Sequence, residues 1–134
     1  MKCFVDSSFF VSLSKENDKN HYKALEIAIE AKDKKIVFYT SDRIIDETAT
    51  VLSMKASKVI AVNFLDYIEK DEDSPMVLGE DNNTRGKARR LFRLRKEKDI
   101  SIIDCHSAVL MKKQRIRKCF TFDKHFKKLG FEIL

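Results

Sequence analysis

The chain has no tryptophan, one proline, three glycines and three cysteines in 134 residues. So little proline and glycine speaks against a collagen-like or low-complexity disordered chain. Cys3, Cys105 and Cys119 are odd in number, follow no CxxC spacing and stand beside apolar residues. They read as buried thiols rather than as a disulfide framework. His21, His106 and His125 are scattered along the chain, which speaks against a zinc site of the His/Cys kind. No apolar run approaches the ~20 residues that span a bilayer, so no membrane partner is expected. The Met1-Lys2-Cys3 start leads directly into strand-like residues without a signal peptide, and the expected compartment is a reducing cytoplasm.

What is present suits one compact domain over residues 1–134, with 43% hydrophobic and 36% charged residues. A folded chain of this length buries roughly two-thirds of the surface it exposes when unfolded, enough for a core without metal or disulfide staples. The formal net charge of +6 is unevenly spread. Residues 1–84 carry 11 Lys/Arg against 16 Asp/Glu, whereas residues 85–134 carry 16 against 5. Such asymmetry fits a surface for a polyanion and equally a lysine-rich solvated face.

Short apolar runs alternate with helical stretches. Cys3–Val5, Ile36–Tyr39, Met76–Leu78, Cys119–Phe122 and Phe131–Ile133 have the composition of strands buried on both faces. Residues 18–32, 43–54, 58–68, 84–96 and 103–113 have helical length, and in the first of these Tyr22, Leu25, Ala28 and Ile29 share one side as a candidate inward face. Glu69–Ser74 reads as a loop after a helix. Strands separated by helices imply right-handed crossovers and a mainly parallel sheet covered on both faces, an α/β fold. In such sheets, sites form at the carboxyl ends of the strands.

Four acids occupy informative places. Asp6 ends the first strand in Phe4-Val5-Asp6-Ser7-Ser8, and Asp123 ends Phe120-Thr121-Phe122-Asp123. Either can be an ordinary helix cap. Glu47 borders the apolar stripe of Ile44, Thr48, Val51 and Leu52, while its neighbour Asp46 projects to the opposite side. Asp104 opens Ile103-Asp104-Cys105-His106-Ser107-Ala108-Val109-Leu110-Met111, a helix apolar nearly all round and so expected to be buried. Asp104 or Ser101 can cap it. Taken singly, each acid has a structural account. Taken together, two acids at strand ends and two on adjoining helices can converge on one crevice, where a hard divalent cation, Mg2+ or Mn2+, would relieve their repulsion.

The segment Arg85 to Lys98 holds eight Lys/Arg in fourteen residues with only Glu97 against them. Arg85, Lys87, Arg89, Arg90 and Arg93 form a candidate phosphate track; a helix with a solvated cationic face is the plain alternative. Residues 112–118 add a second basic cluster.

Four motifs in order give a resemblance that covers nearly the whole chain. Phe4-Val5-Asp6-Ser7-Ser8 resembles the opening Asp-x-Ser motif of the PIN-domain ribonucleases, including the VapC-type toxin nucleases of toxin–antitoxin pairs. Thr40 to Glu47 resembles the helix bearing that family's second acid, Ile100-Ser101-Ile102-Ile103-Asp104 the third motif, and Phe120 to Phe126 the fourth, which contains Thr-x-Asp. The resemblance implies a three-layer α/β/α sandwich and a metal site of Asp6, Glu47, Asp104 and Asp123, supported by the hydroxyls of Ser8 and Thr121. Capping by Ser8 and strand propensity at Thr121 are the plain alternatives. It further implies endonucleolytic cleavage of RNA leaving 5′-phosphate and 3′-hydroxyl ends, an antitoxin protein partner and a homodimer.

The apolar residues Phe9, Phe10, Val11 and Leu13, and Val59, Ile60, Val62, Phe64, Leu65 and Ile68, offer partner surfaces or core. Two other functions compete with the toxin reading: a PIN-like module that grips RNA or protein without cutting, and a housekeeping RNA-processing nuclease. A phospho-acceptor receiver domain also alternates strands and helices, but normally has a further acidic pair where Phe4-Val5 stands here.

Overall fold

Cys3, Phe4 and Val5 are buried in the first strand, β1 (Lys2–Val5), at the centre of the sheet. The computed structural model describes all 134 residues. In it β2 (Val37–Ser41), β3 (Met76–Leu78), β4 (Lys118–Phe120) and β5 (Glu132–Ile133) join β1 in the order β3-β2-β1-β4-β5. Every pairing is parallel. The helices are α1 (Ser7–Ser14), α2 (His21–Asp33), α3 (Asp42–Lys55), α4 (Lys58–Lys70), α5 (Asn82–Leu94), α6 (Ile102–Lys113) and α7 (His125–Lys128). None is long and apolar enough to cross a membrane.

The strand order explains the layers. Travel from β1 through β2 to β3 runs one way across the sheet, and travel from β3 to β4 and β5 runs the other way. Right-handed crossovers therefore set α1–α4 on one face and α5–α7 on the opposite one. The helices pack accordingly, α1 with α2 and α3, α3 with α4, α5 with α6, and α6 with α7. The result is the expected three-layer α/β/α sandwich. Its order reverses between β1 and β4, the position at which open α/β sheets form a crevice at their carboxyl edge.

Register carries that edge across the sheet. Phe4 pairs with Tyr39, Val5 with Phe120, and Ser41 with Leu78. Continued one or two residues, this pairing sets Leu78, Ser41, Asp6 and Thr121 in a row. Asp6 N–H donates to the Phe120 carbonyl at 3.0 Å, and Thr40 Oγ1 donates to the Val5 carbonyl at 3.0 Å. Both bonds fix the end of β1 where Asp6 leaves it.

Core packing follows the apolar positions of β1, β4 and the helix faces. One cluster joins Phe4 and Phe120 to Phe9 and Phe10 of α1, Ile44 and Leu52 of α3, Phe64 and Ile68 of α4, and Met111 of α6. Each fully buried side chain of this size contributes roughly 1.5–3 kcal/mol relative to exposure. A smaller cluster of Ala88, Ile100 and Cys105 joins α5 to α6. All three cysteines are buried and free.

Three of the strands are reached through the same turn. Lys35, Arg115 and Gly130 take left-handed φ values of 55°, 56° and 95° just after α2, α6 and α7. Beyond them, Ile36, Ile116 and Phe131 donate to the carbonyls of Ala31, Met111 and Phe126. This is the closure that ends helices when an apolar residue must turn back onto the core.

Two expectations are corrected. Burial of strands on both faces holds for β1 and the inner residues of β4, but in β2 Val37 is exposed and Phe38 and Tyr39 are half-buried, and Met76 and Val77 of β3 and both residues of β5 are exposed, the last two strands lying at the sheet edges. In α2 the side with Tyr22, Leu25 and Ile29 faces outward, with Tyr22 78% and Ile29 65% exposed, and the helix packs through Ala24 and Ala31. Small residues let α2 approach the core closely, and that contact overrides the larger apolar stripe. Boundaries also shift: β4 ends at Phe120, β5 begins at Glu132, and α5 ends at Leu94.

Candidate active site

Asp6 occupies the N-cap position of α1, yet its side chain makes no capping bond. It is 2% exposed and turns to two hydroxyls instead. Thr121 Oγ1 donates to Asp6 Oδ2 at 2.8 Å, and Ser8 Oγ stands 3.2 Å from the same oxygen and 3.0 Å from Thr121 Oγ1. The hydroxyls are themselves held, because Phe122 N–H donates to Ser8 Oγ and Asp123 N–H to Thr121 Oγ1, both at 3.0 Å. Thr121 thus links the Asp6 carboxylate to the backbone of Asp123. Neither hydroxyl is explained by capping or strand propensity.

Asp104 lies in the first turn of α6. Ser101 is the N-cap; its Oγ accepts from Asp104 N–H at 3.0 Å while Asp104 Oδ2 accepts from Ser101 N–H at 2.9 Å. Both candidate caps act together in a capping box. His125 Nδ1 lies 3.0 Å from the same Asp104 oxygen. Asp104 is buried, as the nearly all-apolar helix requires. On α3, Glu47 is half-buried and Asp46 exposed, as the helical phase predicts. Asp123 does not cap α7, whose N-cap is Lys124.

The acids sense one another. Burial raises the Asp6 carboxyl to about 7, against the Thr121 hydrogen bond, and the charges of Asp104 and Asp123 add to the rise. Burial also raises Glu47; a Ser7 hydroxyl opposes this, and Asp104 and Asp123 reinforce it. Asp104 is raised by burial despite Ser101 and His125, with Asp123 adding repulsion. The charges of Asp104 and Asp123 thus reach both Asp6 and Glu47, so four carboxylates from four separate segments lie within electrostatic range of one another near the strand reversal.

A family model of the PIN domain matches residues 3–132. The chain belongs to the PIN-domain family. Its structure is similar to the crystal structure of Mycobacterium tuberculosis VapC20, a sarcin-ricin loop cleaving toxin, at 25% sequence identity and a TM-score of 0.87. The likeness covers 96% of this chain and 95% of that one. No curated protein matches the sequence.

The side chains of this PIN domain as they stand do not bring three His, Cys, Asp or Glu groups into metal-holding geometry. Their chemistry nevertheless fits a hard divalent cation, since all the donors are oxygen and burial together with repulsion from neighbouring acids penalises the negative charge on Asp6, Glu47 and Asp104. One oxygen of Asp6 and one of Asp104 are engaged by the hydroxyl, amide and imidazole groups named above. Ser107, one turn beyond Asp104 on the same side of α6, supplies the only buried side-chain oxygen or nitrogen without a hydrogen-bond partner.

The basic residues divide between the flanks of α5. Lys87 and Arg90 line a cleft of about 590 Å3 with Lys112 and Lys113 of α6. Arg85 lies across the helix in a separate cleft with Arg43, and Arg89 and Arg93 are exposed. Cationic side chains thus surround α5 on both sides instead of forming one track.

Sequence reasoning missed four groups. His125 beside Asp104 stands in a quoted motif but carried no role there. Arg43, Glu80 and His106 form a chain in which Arg43 Nε donates to Glu80 Oε2 at 2.8 Å and Glu80 Oε1 meets His106 Nδ1. Burial raises Glu80, but hydrogen bonds from His106 and Arg43 outweigh it and hold the carboxyl below its usual value. A separation of 37 residues between Arg43 and Glu80 left no local signal of this contact.

Proposed function

We propose that this PIN-domain protein is a divalent-metal-dependent endoribonuclease and the toxin of a toxin–antitoxin pair, with Asp6, Glu47, Asp104 and Asp123 as the carboxylates that hold the cation. One observation carries the reading. Asp104 and Asp123, from two further segments, bear electrostatically on both Asp6 and Glu47 near the strand reversal, and Asp6 is shifted up to about 7. The toxin assignment is supported by the extent of the likeness to VapC20.

Bound Mg2+ or Mn2+ would supply Lewis-acid chemistry, making water easier to deprotonate and neutralising charge on the phosphate oxygens. The protein's own groups do the placing. Thr121 and Ser8 hold Asp6 in one orientation, and Ser101 and His125 hold Asp104. Hydrolysis by an activated water needs no attack from the RNA 2′-hydroxyl, so no catalytic histidine is required. Lys87, Arg90, Lys112 and Lys113 attract the phosphate backbone through counterion release, a contribution that carries no sequence preference.

An antitoxin segment and a second copy of the chain are the protein partners in this proposal. A cleft of about 900 Å3 between α1, α3 and α4, walled by Phe10, Leu13, Ile60, Phe64 and Tyr67, supports an apolar partner. Exposed Val59 and Val62 lie on α4 as well. Phe10 and Phe64 belong to the core as well as to this wall, whereas Phe9 belongs to the core alone.

The test is cleavage of an oligoribonucleotide carrying the sarcin–ricin loop, the RNA that VapC20 cleaves, and of total RNA. Purified protein is expected to cut with Mg2+ or Mn2+ and to stop in EDTA. Asp104→Asn is expected to stay folded and inactive. Equal cleavage by wild type and Asp104→Asn would refute the assignment.

A further inference from the structure

The carboxyl edge continues beyond the acids. Over β2 and β3 lies a cleft of about 210 Å3 lined by Ser41, Asp42, Arg43, Leu78, Glu80, Arg85 and Leu110. It adjoins the acid crevice in two ways. Ser41 stands beside Asp6 in the row set by strand register, so the backbone at the edge of the cleft lies one strand spacing, ~4.8 Å, from that of Asp6. Arg43 also precedes Glu47 by four residues on α3, which sets the two on one face a single helical turn apart.

Arg43 is held from beneath. Its Nε is committed to Glu80, whose other carboxylate oxygen is taken by His106, a residue buried on α6. This leaves the two terminal amino groups of the guanidinium, on a side chain 36% exposed, free to face the cleft. Arg85 enters from α5 and is steadied by Asn82. Asp42 is the one acid of the cleft not engaged by these cations. A planar guanidinium fixed at one edge and open at the other matches two oxygens of a phosphate.

Resting on the ribonuclease reading above, we infer that Arg43, with Arg85, binds an RNA phosphate next to the scissile one, and that Glu80 and His106 are positioning residues for Arg43. The acids act on one phosphodiester while the Arg43 cleft fixes its neighbour, so the chain direction across the carboxyl edge is set by a contact separate from the metal.

The test uses the full-length protein and a sarcin–ricin-loop oligoribonucleotide in which single phosphates flanking the cut are replaced by uncharged methylphosphonates. Wild type is expected to lose about tenfold in kcat/KM at one flanking position, mainly through KM. Arg43→Ala should show the same loss with the natural oligonucleotide and then be indifferent to that replacement. Arg43→Lys should recover part of the loss, and Arg43→Gln serves if the alanine variant does not fold. An Arg43 variant that stays as sensitive as wild type at every position, or that loses only kcat, would overturn the inference. Anisotropy of the same oligonucleotide in EDTA separates this from the parent reading. If wild type binds in EDTA but still does not cut once Mg2+ or Mn2+ is supplied, the ribonuclease assignment fails, while weaker binding by Arg43→Ala still supports the phosphate contact. Unchanged binding overturns it.

Discussion

The acid crevice and the basic flanks of α5 are built on opposite principles. In the crevice, Asp6 and Asp104 are buried and each is held by neighbouring donors, so few charges sit in costly surroundings and have defined directions. Along α5, Lys87, Arg89, Arg90 and Arg93 are exposed and mostly free to move. Chemistry on a phosphodiester needs desolvated, oriented charge, whereas attraction of a polyanion sums many weak contacts in water. Substitutions in the two regions should therefore fail in different ways.

The largest contrast comes from Asp6→Asn and Asp104→Asn. Either should lower RNA cleavage by about a thousandfold in single-turnover assays, with little loss of RNA binding by anisotropy. Removing the buried charge of Asp6 should also make the metal-free protein no less stable in thermal unfolding.

Next in size is the pH dependence of metal-free stability. The Asp6 carboxyl is raised from 3.8 to about 7 in the folded state. Well below pH 3.8 it is protonated whether the chain is folded or not. Between about 4 and 7 the unfolded chain releases this proton and the folded chain keeps it, so stability falls as pH rises, by a few kcal/mol at most. Chemical denaturation from pH 4.5 to 8 in EDTA should show the fall, and Asp6→Asn should flatten it. In the proposed metal site Mn2+ would compete with the proton, so the stabilisation it gives should grow through the same range.

Thr121→Val removes the donor to Asp6 while keeping the shape of the side chain. Mn2+ affinity should fall about tenfold by calorimetry, with a smaller loss of stability. The basic flank should respond least to any single change. Lys87→Ala or Arg90→Ala should weaken RNA binding severalfold and lower the slope of log affinity against log salt by about one, without altering kcat. A loss of kcat in either variant would erase the distinction between the two regions.

Much of this was legible in order along the chain. The abrupt ends of the apolar runs at Asp6 and near Asp123 marked strand termini, and the absence of a polar face around Asp104 marked a buried helix start. Helical phase separated Glu47 from Asp46. Other features had no local signature. The outward turn of Tyr22, Leu25 and Ile29 depends on which side of α2 fits the core, and two alanines fit more closely than the larger residues do. The division of the α5 cations depends on what packs beneath that helix, since Thr84 and Ala88 face inward and set Arg85 and Lys87 on opposite flanks.

By itself the sequence determined the alternation of strands and helices, hence a parallel sheet, and the succession of four acids on which the resemblance to the family rests. Periodicity and chain order are local properties, written residue by residue. Only the tertiary structure decided that Thr121 orients Asp6, that Ser101 and His125 share Asp104, and that Arg43 is pinned through Glu80 to His106. These contacts join side chains as far as 115 residues apart, between Asp6 and Thr121, and their geometry exists only once the crossovers have brought the strand ends together.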